Sequence, residues 1–137
     1  MRPLGLHHTS LHHTYLPGTA TSIPGPHAHG YLPLATGPAD ITDRNPSVAG
    51  SAGETISTTD DLARFNAALL GGRLLAPAQL AEMTSTVPAD ADPPSQYGLG
   101  LMRTTLSCGD VWGHPGGIDG YTTYVFGNRA GTRQVAI

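Results

Sequence analysis

The stretch Trp112-Gly-His-Pro-Gly-Gly-Ile-Asp-Gly-Tyr121 decides how the rest of this chain is interpreted. A glycine-rich strand lets a substrate backbone lie close, because no side chain extends beyond Cα. At a sheet edge, such a strand can pair with an extended peptide, and one of its amide N–H groups can stabilise a developing oxyanion by roughly 3 kcal/mol. His114 adds a titratable group. The stretch predicts one wall of an active site, although by itself it also fits an ordinary glycine-rich turn.

The chain contains no nucleophile to accompany this wall. It has seven Arg and no Lys, so a site that needs a lysine base must take it from elsewhere. Ser51 lies in Ala49-Gly-Ser-Ala-Gly53, which falls one residue short of Gly-x-Ser-x-Gly and lacks the strand–turn–helix context. We therefore do not assign Ser51 as a nucleophile.

Composition limits the classes of partner. The 137 residues suffice for one domain, but 18 Gly, 12 Pro and a charged fraction of 12% indicate a loop-rich chain. The net charge is −3 and the Arg residues are scattered, which argues against nucleic acid. No apolar run approaches the roughly 20 residues of a membrane span, and the first residues do not form a signal peptide.

The chain divides into two parts of different character. Residues 1–50 are irregular and loop-rich, with repeated Pro and Gly. So long a coil is unusual inside a compact domain, and we expect it to lie on a body outside this chain. Residues 51–137 carry the patterns of helices and sheet strands. We therefore treat residues 1–137 as one partial domain.

Two helices are predicted. Thr58-Thr-Asp-Asp61 has capping-box spacing, and Leu62, Phe65 and Leu69 follow as one apolar stripe that ends before Gly71-Gly72. A second, shorter helix begins at Pro77 and buries Leu80 and Met83. Residues 84–96 are predicted to form a polar, proline-broken loop.

The remainder predicts an antiparallel meander. The predicted strands lie at 97–103, 111–114, 121–126 and 132–137, with a turn at Asn128–Gly131. The last strand reaches Ile137 without a turn or a polar tail, so we expect truncation there.

Eight short motifs along the chain together resemble a known protein family. They are Pro3-Leu-Gly-Leu6, His29-Gly-Tyr31, Ser51-Ala-Gly53, Ile56-Ser-Thr-Thr-Asp-Asp-Leu62, Tyr97-Gly-Leu-Gly-Leu101, Leu106-Ser-Cys-Gly109, Gly113-His-Pro-Gly-Gly117 and Gly120-Tyr121. In this order the chain resembles the serine penicillin-recognising hydrolases: class C β-lactamases, D-alanyl-D-alanine carboxypeptidases and related esterases. The resemblance implies an α+β fold, a helix–sheet–helix sandwich with an antiparallel sheet, of which this chain is the C-terminal portion only.

The resemblance also assigns roles. The family's Ser-x-x-Lys and Tyr-x-Asn or Ser-x-Asn motifs are absent, whereas its Lys-Thr-Gly or His-Thr-Gly motif corresponds to His114-Pro115-Gly116. By position, His114 takes the charged or proton-relay role, and the Gly117 N–H is the second oxyanion donor. Pro115 and Gly116 are the candidate substrate-binding residues beside them.

Two departures from the family pattern concern carboxylate recognition. Pro115 replaces a threonine and removes one N–H, which is tolerable only on an edge strand. Met102 occupies the position of a carboxylate-binding arginine. Arg103 is the adjacent candidate for substrate binding, but we expect it to point to the other face of its strand. Both changes favour an esterase or a broader acyl hydrolase over a strict carboxypeptidase.

The implied reaction is acyl transfer to serine and then to water, on a peptide or ester that could be D-Ala-D-Ala or a β-lactam. We expect no cofactor and no activity of the chain alone, and the missing N-terminal half of the domain is the implied partner. Family members of this kind are secreted or attached to the cell envelope. The alternative is a non-catalytic, degenerate module that binds D-Ala-D-Ala peptides.

Two further features leave alternatives open. Cys108 is either a small buried residue or, as the resemblance implies, half of a disulfide to a cysteine beyond Ile137. The histidines at 7, 8, 12, 13, 27 and 29 could bind a metal, but no carboxylate or cysteine follows at ligand spacing. We therefore expect exposed loop histidines and no metal.

Overall fold

A computed structural model describes residues 14–90 and 94–137 of the chain. The motif Pro3-Leu-Gly-Leu6 and the histidine pairs at 7–8 and 12–13 lie outside the described residues. In the described part, no helix combines the length and apolarity that crossing a membrane would require.

The described residues form eight strands, two α-helices and one 3₁₀ segment. In chain order they are β1 (Tyr31–Leu34), β2 (Gly37–Asp40), the 3₁₀ segment (Pro46–Ala52), α1 (Thr59–Leu70), α2 (Pro77–Met83), β3 (Val87–Ala89), β4 (Ser95–Tyr97), β5 (Met102–Leu106), β6 (Gly109–Ile118), β7 (Tyr121–Gly127) and β8 (Gln134–Ala136). Strands β1 and β2 form a separate hairpin within the first 50 residues.

The main sheet is a six-stranded antiparallel meander in the order β3-β4-β5-β6-β7-β8, whereas the sequence predicted a meander of four strands. The predicted strand over 97–103 is interrupted, because β4 ends at Tyr97 and β5 begins at Met102. The prediction of a loop over residues 84–96 was wrong, because β3 and most of β4 lie there. Pro88 fits β3 because this is the outermost strand, where a missing N–H need not cost a ladder hydrogen bond. Strand β6 is also longer than predicted, since Gly116 and Gly117 continue it opposite Thr123 and Thr122.

Helix α1 begins where its sequence indicated. The Thr58 side chain accepts a hydrogen bond from the Asp61 N–H at 3.2 Å, and Gly71 ends the helix. The predicted apolar stripe holds only in part: Leu69 is buried, but Phe65 is 46% exposed. Asn66 faces the sheet instead, because its Nδ2 donates to Gln134 Oε1 at 2.7 Å and to the Trp112 carbonyl at 3.3 Å.

The core lies between the helices and one face of the sheet. Helix α1 packs against β7 and β8. Helix α2 contributes Leu80, which is buried as predicted, and Met83, which is only half-buried. The buried cluster consists of Leu69, Leu70, Leu101 and Trp112, bordered by Leu74, Leu75 and Met83. This arrangement, helices over an antiparallel sheet, confirms the α+β fold and supplies one helical layer of the expected sandwich.

Two arginines hold the Trp112 ring within this core. The guanidinium carbons of Arg103 and Arg129 each lie 5.7 Å from the ring centroid, within cation–π range. Arg129 also donates to the Leu70 carbonyl at 3.3 Å and so satisfies an acceptor at the end of α1. The middle of β6 is thereby anchored to the helical layer.

The described part of the N-terminal segment packs on this chain's own sheet, which differs from the expectation that it lies on a body outside the chain. Tyr121 Oη donates to the Ala28 carbonyl at 3.0 Å. A Cβ on Gly30 would lie 2.4 Å from the Tyr121 ring, so only glycine fits there. Arg44 donates to Asp119 at 2.6 Å in an exposed ion pair. The turn between β6 and β7 is thus held from the N-terminal side.

We predict that Thr58→Ala lowers the free energy of unfolding by about 1 kcal/mol, because the Asp61 N–H loses its capping acceptor. Urea denaturation followed by circular dichroism measures the change. Thr59→Ala is the matched control: Thr59 is an exposed residue of the first turn, so its replacement should alter stability by less than about 0.5 kcal/mol. Equal losses in the two variants would contradict the cap.

The hairpin residue Asp40 predicts an acid-dependent loss of stability. Hydrogen bonds from the Thr42 hydroxyl and N–H, and then from His29, lower the pKa of Asp40 from 3.8 to about 2. A lowered folded-state pKa contributes stability above the unfolded value, and this is lost as the pH falls from about 4 to about 2. The free energy of unfolding, measured across this pH window, should fall less steeply for Asp40→Asn than for the wild type. For Asp43→Asn it should fall as it does for the wild type. An unchanged slope in Asp40→Asn would contradict the assignment.

Candidate active site

The second half of β6 is an open strand edge. Strand β5 pairs with β6 only as far as Met102 opposite Gly113. From His114 to Ile118, β6 pairs with β7 alone, so within the described residues its other edge is unpaired. Pro115 lies in this half, in the edge setting that its missing N–H requires.

A groove of about 910 Å³ lies beside this edge. Gly116, Gly117 and the turn through Asp119 line one side of it. Residues from 20–28 and from 41–59 line the other side. Gly116 and Gly117 are exposed, which places the predicted glycine wall against solvent and not inside a closed core.

The glycines of this segment serve different purposes. A Cβ on Gly113 would lie 1.9 Å from the Val125 carbonyl oxygen and 2.8 Å from Phe126 Cα, so Gly113 is required for strand packing. A Cβ on Gly116 would lie 3.0 Å from Thr123 Oγ1. At Gly117 a Cβ would meet nothing within 4 Å. Packing therefore does not require glycine at position 117, and the absence of a side chain there leaves open space in the groove.

His114 lies at the start of the open edge, outside the residues that line the groove. Its Nε2 is 2.9 Å from Tyr97 Oη, and its Nδ1 contacts the carbonyl oxygen of Pro115. Sequence reasoning missed Tyr97 as a site residue. No local pattern could have identified it, because Tyr97 comes near His114 only through two successive strand pairings, Tyr97 with Met102 and Met102 with Gly113.

Arg103 is engaged within the sheet. It donates to Asp110 at 2.5 and 2.8 Å and to Gln96 at 3.3 Å, and it does not line the groove. The Thr105 hydroxyl, and then Arg103, lower the pKa of Asp110. The register pairs Arg103 with Trp112 and Met102 with Gly113, so the two side chains lie on opposite faces, as expected. A substrate contact for Arg103 stays a prediction.

The other residues singled out from the sequence are Cys108 and the N-terminal histidines. Cys108 is exposed, so its interpretation as a buried residue was wrong, and a disulfide to a cysteine outside the sequence stays a prediction. His27 and His29 stack at 5.4 Å, and His29 contacts Asp40 at 2.8 Å. Residues 14–90 and 94–137 contain no group of three side chains placed to hold a metal ion.

A family model described as Beta-lactamase matches residues 1–137. The chain belongs to the Beta-lactamase family. This match confirms the resemblance to serine penicillin-recognising hydrolases.

Solved structures agree with this membership. A D-stereospecific amidohydrolase from Streptomyces sp. is 42% identical with a TM-score of 0.88, and the match covers 98% of this chain and 39% of that one. A D-amino acid amidase from Ochrobactrum anthropi SV3, complexed with L-phenylalanine amide, is 31% identical with a TM-score of 0.76, again over 98% of this chain and 39% of that one.

A third structure agrees in fold alone. The octameric penicillin-binding protein homologue from Pyrococcus abyssi is 21% identical with a TM-score of 0.76, covering 98% of this chain and 30% of that one. The chain thus spans about two fifths or less of the length of each of these three relatives.

We predict opposite outcomes for two neighbouring Gly→Ala variants of β6. Gly113→Ala should lower the free energy of unfolding by at least about 2 kcal/mol, because its Cβ would collide with the backbone of β7. Gly117→Ala should leave stability unchanged or raise it by up to about 1 kcal/mol, because alanine loses less backbone entropy than glycine and space is open.

Urea titration of both variants beside the wild type measures these differences. A loss at Gly117 comparable to that at Gly113 would contradict an open groove at Gly117.

Proposed function

We propose that this chain forms the glycine-edge wall of a serine amidohydrolase that cleaves amides of D-amino acids through an acyl-serine intermediate. The observation that carries the proposal is the solvent-facing Gly116–Gly117 edge beside the groove. The two amidase relatives, at 42% and 31% identity, support the choice of an amide substrate.

Each element of the wall has a chemical task in this proposal. The Gly117 N–H donates to the oxyanion that forms when serine attacks the carbonyl, beside a donor from the serine's own backbone. Gly116 and Pro115 lie along the acyl group of the substrate. His114, three residues before Gly117 on the same strand, relays a proton. Water then hydrolyses the acyl-serine.

Amide hydrolysis fits the departures from the family pattern better than carboxypeptidase action does. Pro115 has no hydroxyl for a substrate carboxylate, and Met102 stands where the resemblance places an arginine. Arg103 is engaged by Asp110. An amide substrate carries no free carboxylate at the cleaved end, so none of these three positions has to recognise one.

The nucleophile must come from residues outside this sequence, because the chain has no lysine and hence no Ser-x-x-Lys. We propose that the rest of the domain supplies it and closes the groove from the open side. Secretion or attachment to the cell envelope, as in the related hydrolases, is part of the same proposal.

The lack of lysine also favours a second candidate, a binding module that holds D-Ala-D-Ala peptides without turnover. Calorimetric titration with such a peptide distinguishes the two. Saturable binding that is unaffected by Gly117→Ala, together with no turnover in any assembled form, would favour the module.

We predict that the isolated chain does not hydrolyse D-phenylalanine amide above a His114→Ala control. Loss of a nucleophile and its base as a unit costs about six orders of magnitude in rate. Ammonia release, measured with the D and the L amide, tests this. Turnover clearly above the control would show that the chain contains its own nucleophile.

We further predict that activity appears when the chain is combined with the remaining N-terminal part of the Streptomyces amidohydrolase, the relative with 42% identity. The D-amide should be cleaved faster than the L-amide. Gly117→Ala should reduce kcat by roughly tenfold or more, because a methyl group beside the oxyanion donor would displace the substrate carbonyl from its N–H.

The same N-terminal part combined with its own C-terminal part is the positive control. If that pair is active and the combination with this chain is not, the proposed function is wrong. Faster cleavage of the L-amide would contradict the proposed substrate class.

A further inference from the structure

Both ring nitrogens of His114 have a partner. Nε2 lies 2.9 Å from Tyr97 Oη, and Nδ1 contacts the carbonyl oxygen of Pro115. The Tyr97 and His114 rings meet edge to face with their centroids 5.6 Å apart. Rotation of the imidazole would break both contacts at once.

The chemistry of these partners determines which nitrogen carries the proton. A carbonyl oxygen only accepts, so Nδ1 must be the donor to Pro115. In a neutral imidazole the other nitrogen is then an acceptor, and a tyrosine hydroxyl can donate to it. The two contacts therefore select the same tautomer.

The backbone that follows Tyr97 is fixed by its packing. Gly98 donates to the Leu101 carbonyl at 2.8 Å, and Leu99 donates to the Met83 carbonyl at 3.1 Å. A Cβ on Gly98 would lie 2.2 Å from the same Met83 oxygen. The C-terminal end of α2 thus sets where β4 ends and where the Tyr97 ring reaches His114.

We propose that Tyr97 is a positioning residue that holds neutral His114 as the Nδ1–H tautomer. This rests on the proposed function, in which His114 relays a proton. When Nε2 gains a proton it becomes a donor, and the Tyr97 hydroxyl must turn to accept from it and direct its own hydrogen elsewhere. The direction of the hydroxyl hydrogen therefore follows the charge of His114.

The test is the ¹⁵N NMR spectrum of the histidine side chains in the wild-type chain, recorded at a pH where His114 is neutral, with His114→Gln for assignment. Nδ1 should be protonated and Nε2 should not. Tyr97→Phe should lower the ratio of Nδ1–H to Nε2–H by about two- to tenfold, the equivalent of one hydrogen bond. A change confined to packing would not move this ratio.

Tyr124→Phe is the matched control. Tyr124 lies on β7 opposite Pro115, and the described part of the chain gives its hydroxyl no hydrogen bond. The ratio at His114 should stay at its wild-type value in this variant. A shift equal to that of Tyr97→Phe would overturn the proposal.

Two other results would also overturn it. One is a wild-type spectrum in which neutral His114 carries its proton on Nε2, a result that needs no variant. The other is an unchanged ratio in a folded Tyr97→Phe chain. All these spectra come from the chain alone, so they are independent of whether an assembled protein cleaves D-amides.

Discussion

The pairing of β6 with β7 is the interaction on which the rest of the structure depends. It runs from Trp112 opposite Gly127 to Ile118 opposite Tyr121, further than any other pairing in the described residues. Strand β5 covers the first half of β6 and stops at Gly113. The same strand is therefore an interior strand in its first half and an edge strand in its second half. The glycine wall is exposed because β7 alone pairs with the second half.

Each half of this pairing is fixed by different chemistry. At Trp112, two guanidinium groups lie within cation–π range of the indole ring, and the Asn66 side chain of α1 donates to the Trp112 carbonyl. At the hairpin turn, Arg44 and Asp119 form an ion pair, which at such exposure contributes about 1 kcal/mol at most. The buried half anchors the strand, whereas the turn is held by weaker contacts from the segment that lines the groove.

Local patterns in the sequence were sufficient to predict the helices and most of the sheet. The capping residues at Thr58 and the turn at Asn128–Gly131 act over a few residues, so they can be identified without tertiary information. The exposure of Phe65 could not be predicted from local patterns. The side of α1 that faces the sheet carries Asn66, which donates to Gln134, 68 positions further along the chain.

The candidate site also combines features that are visible locally in the sequence with features that depend on distant residues. His114 and its glycines could be found from the sequence, because glycine density and a motif are visible locally. Tyr97 could not, since its relation to His114 arises from two successive strand registers and the early end of β5. The groove could not be predicted either, because its lining includes residues from 20–28, 41–59 and 116–123, which are far apart along the chain.

The position of Pro115 on the free edge has a second consequence. An exposed strand edge is a template for unwanted pairing, and proline is one of the residues that limit it. At this position proline removes a donor that would point to the free edge, because its partner Tyr124 bonds through its N–H and C=O to β8. Successive N–H groups of a strand point to opposite edges, so Gly116 faces β7 and Gly117 faces the free edge. Among His114 to Ile118, the Gly117 N–H is therefore the donor left for pairing with an extended ligand, and Gly117 lines the groove.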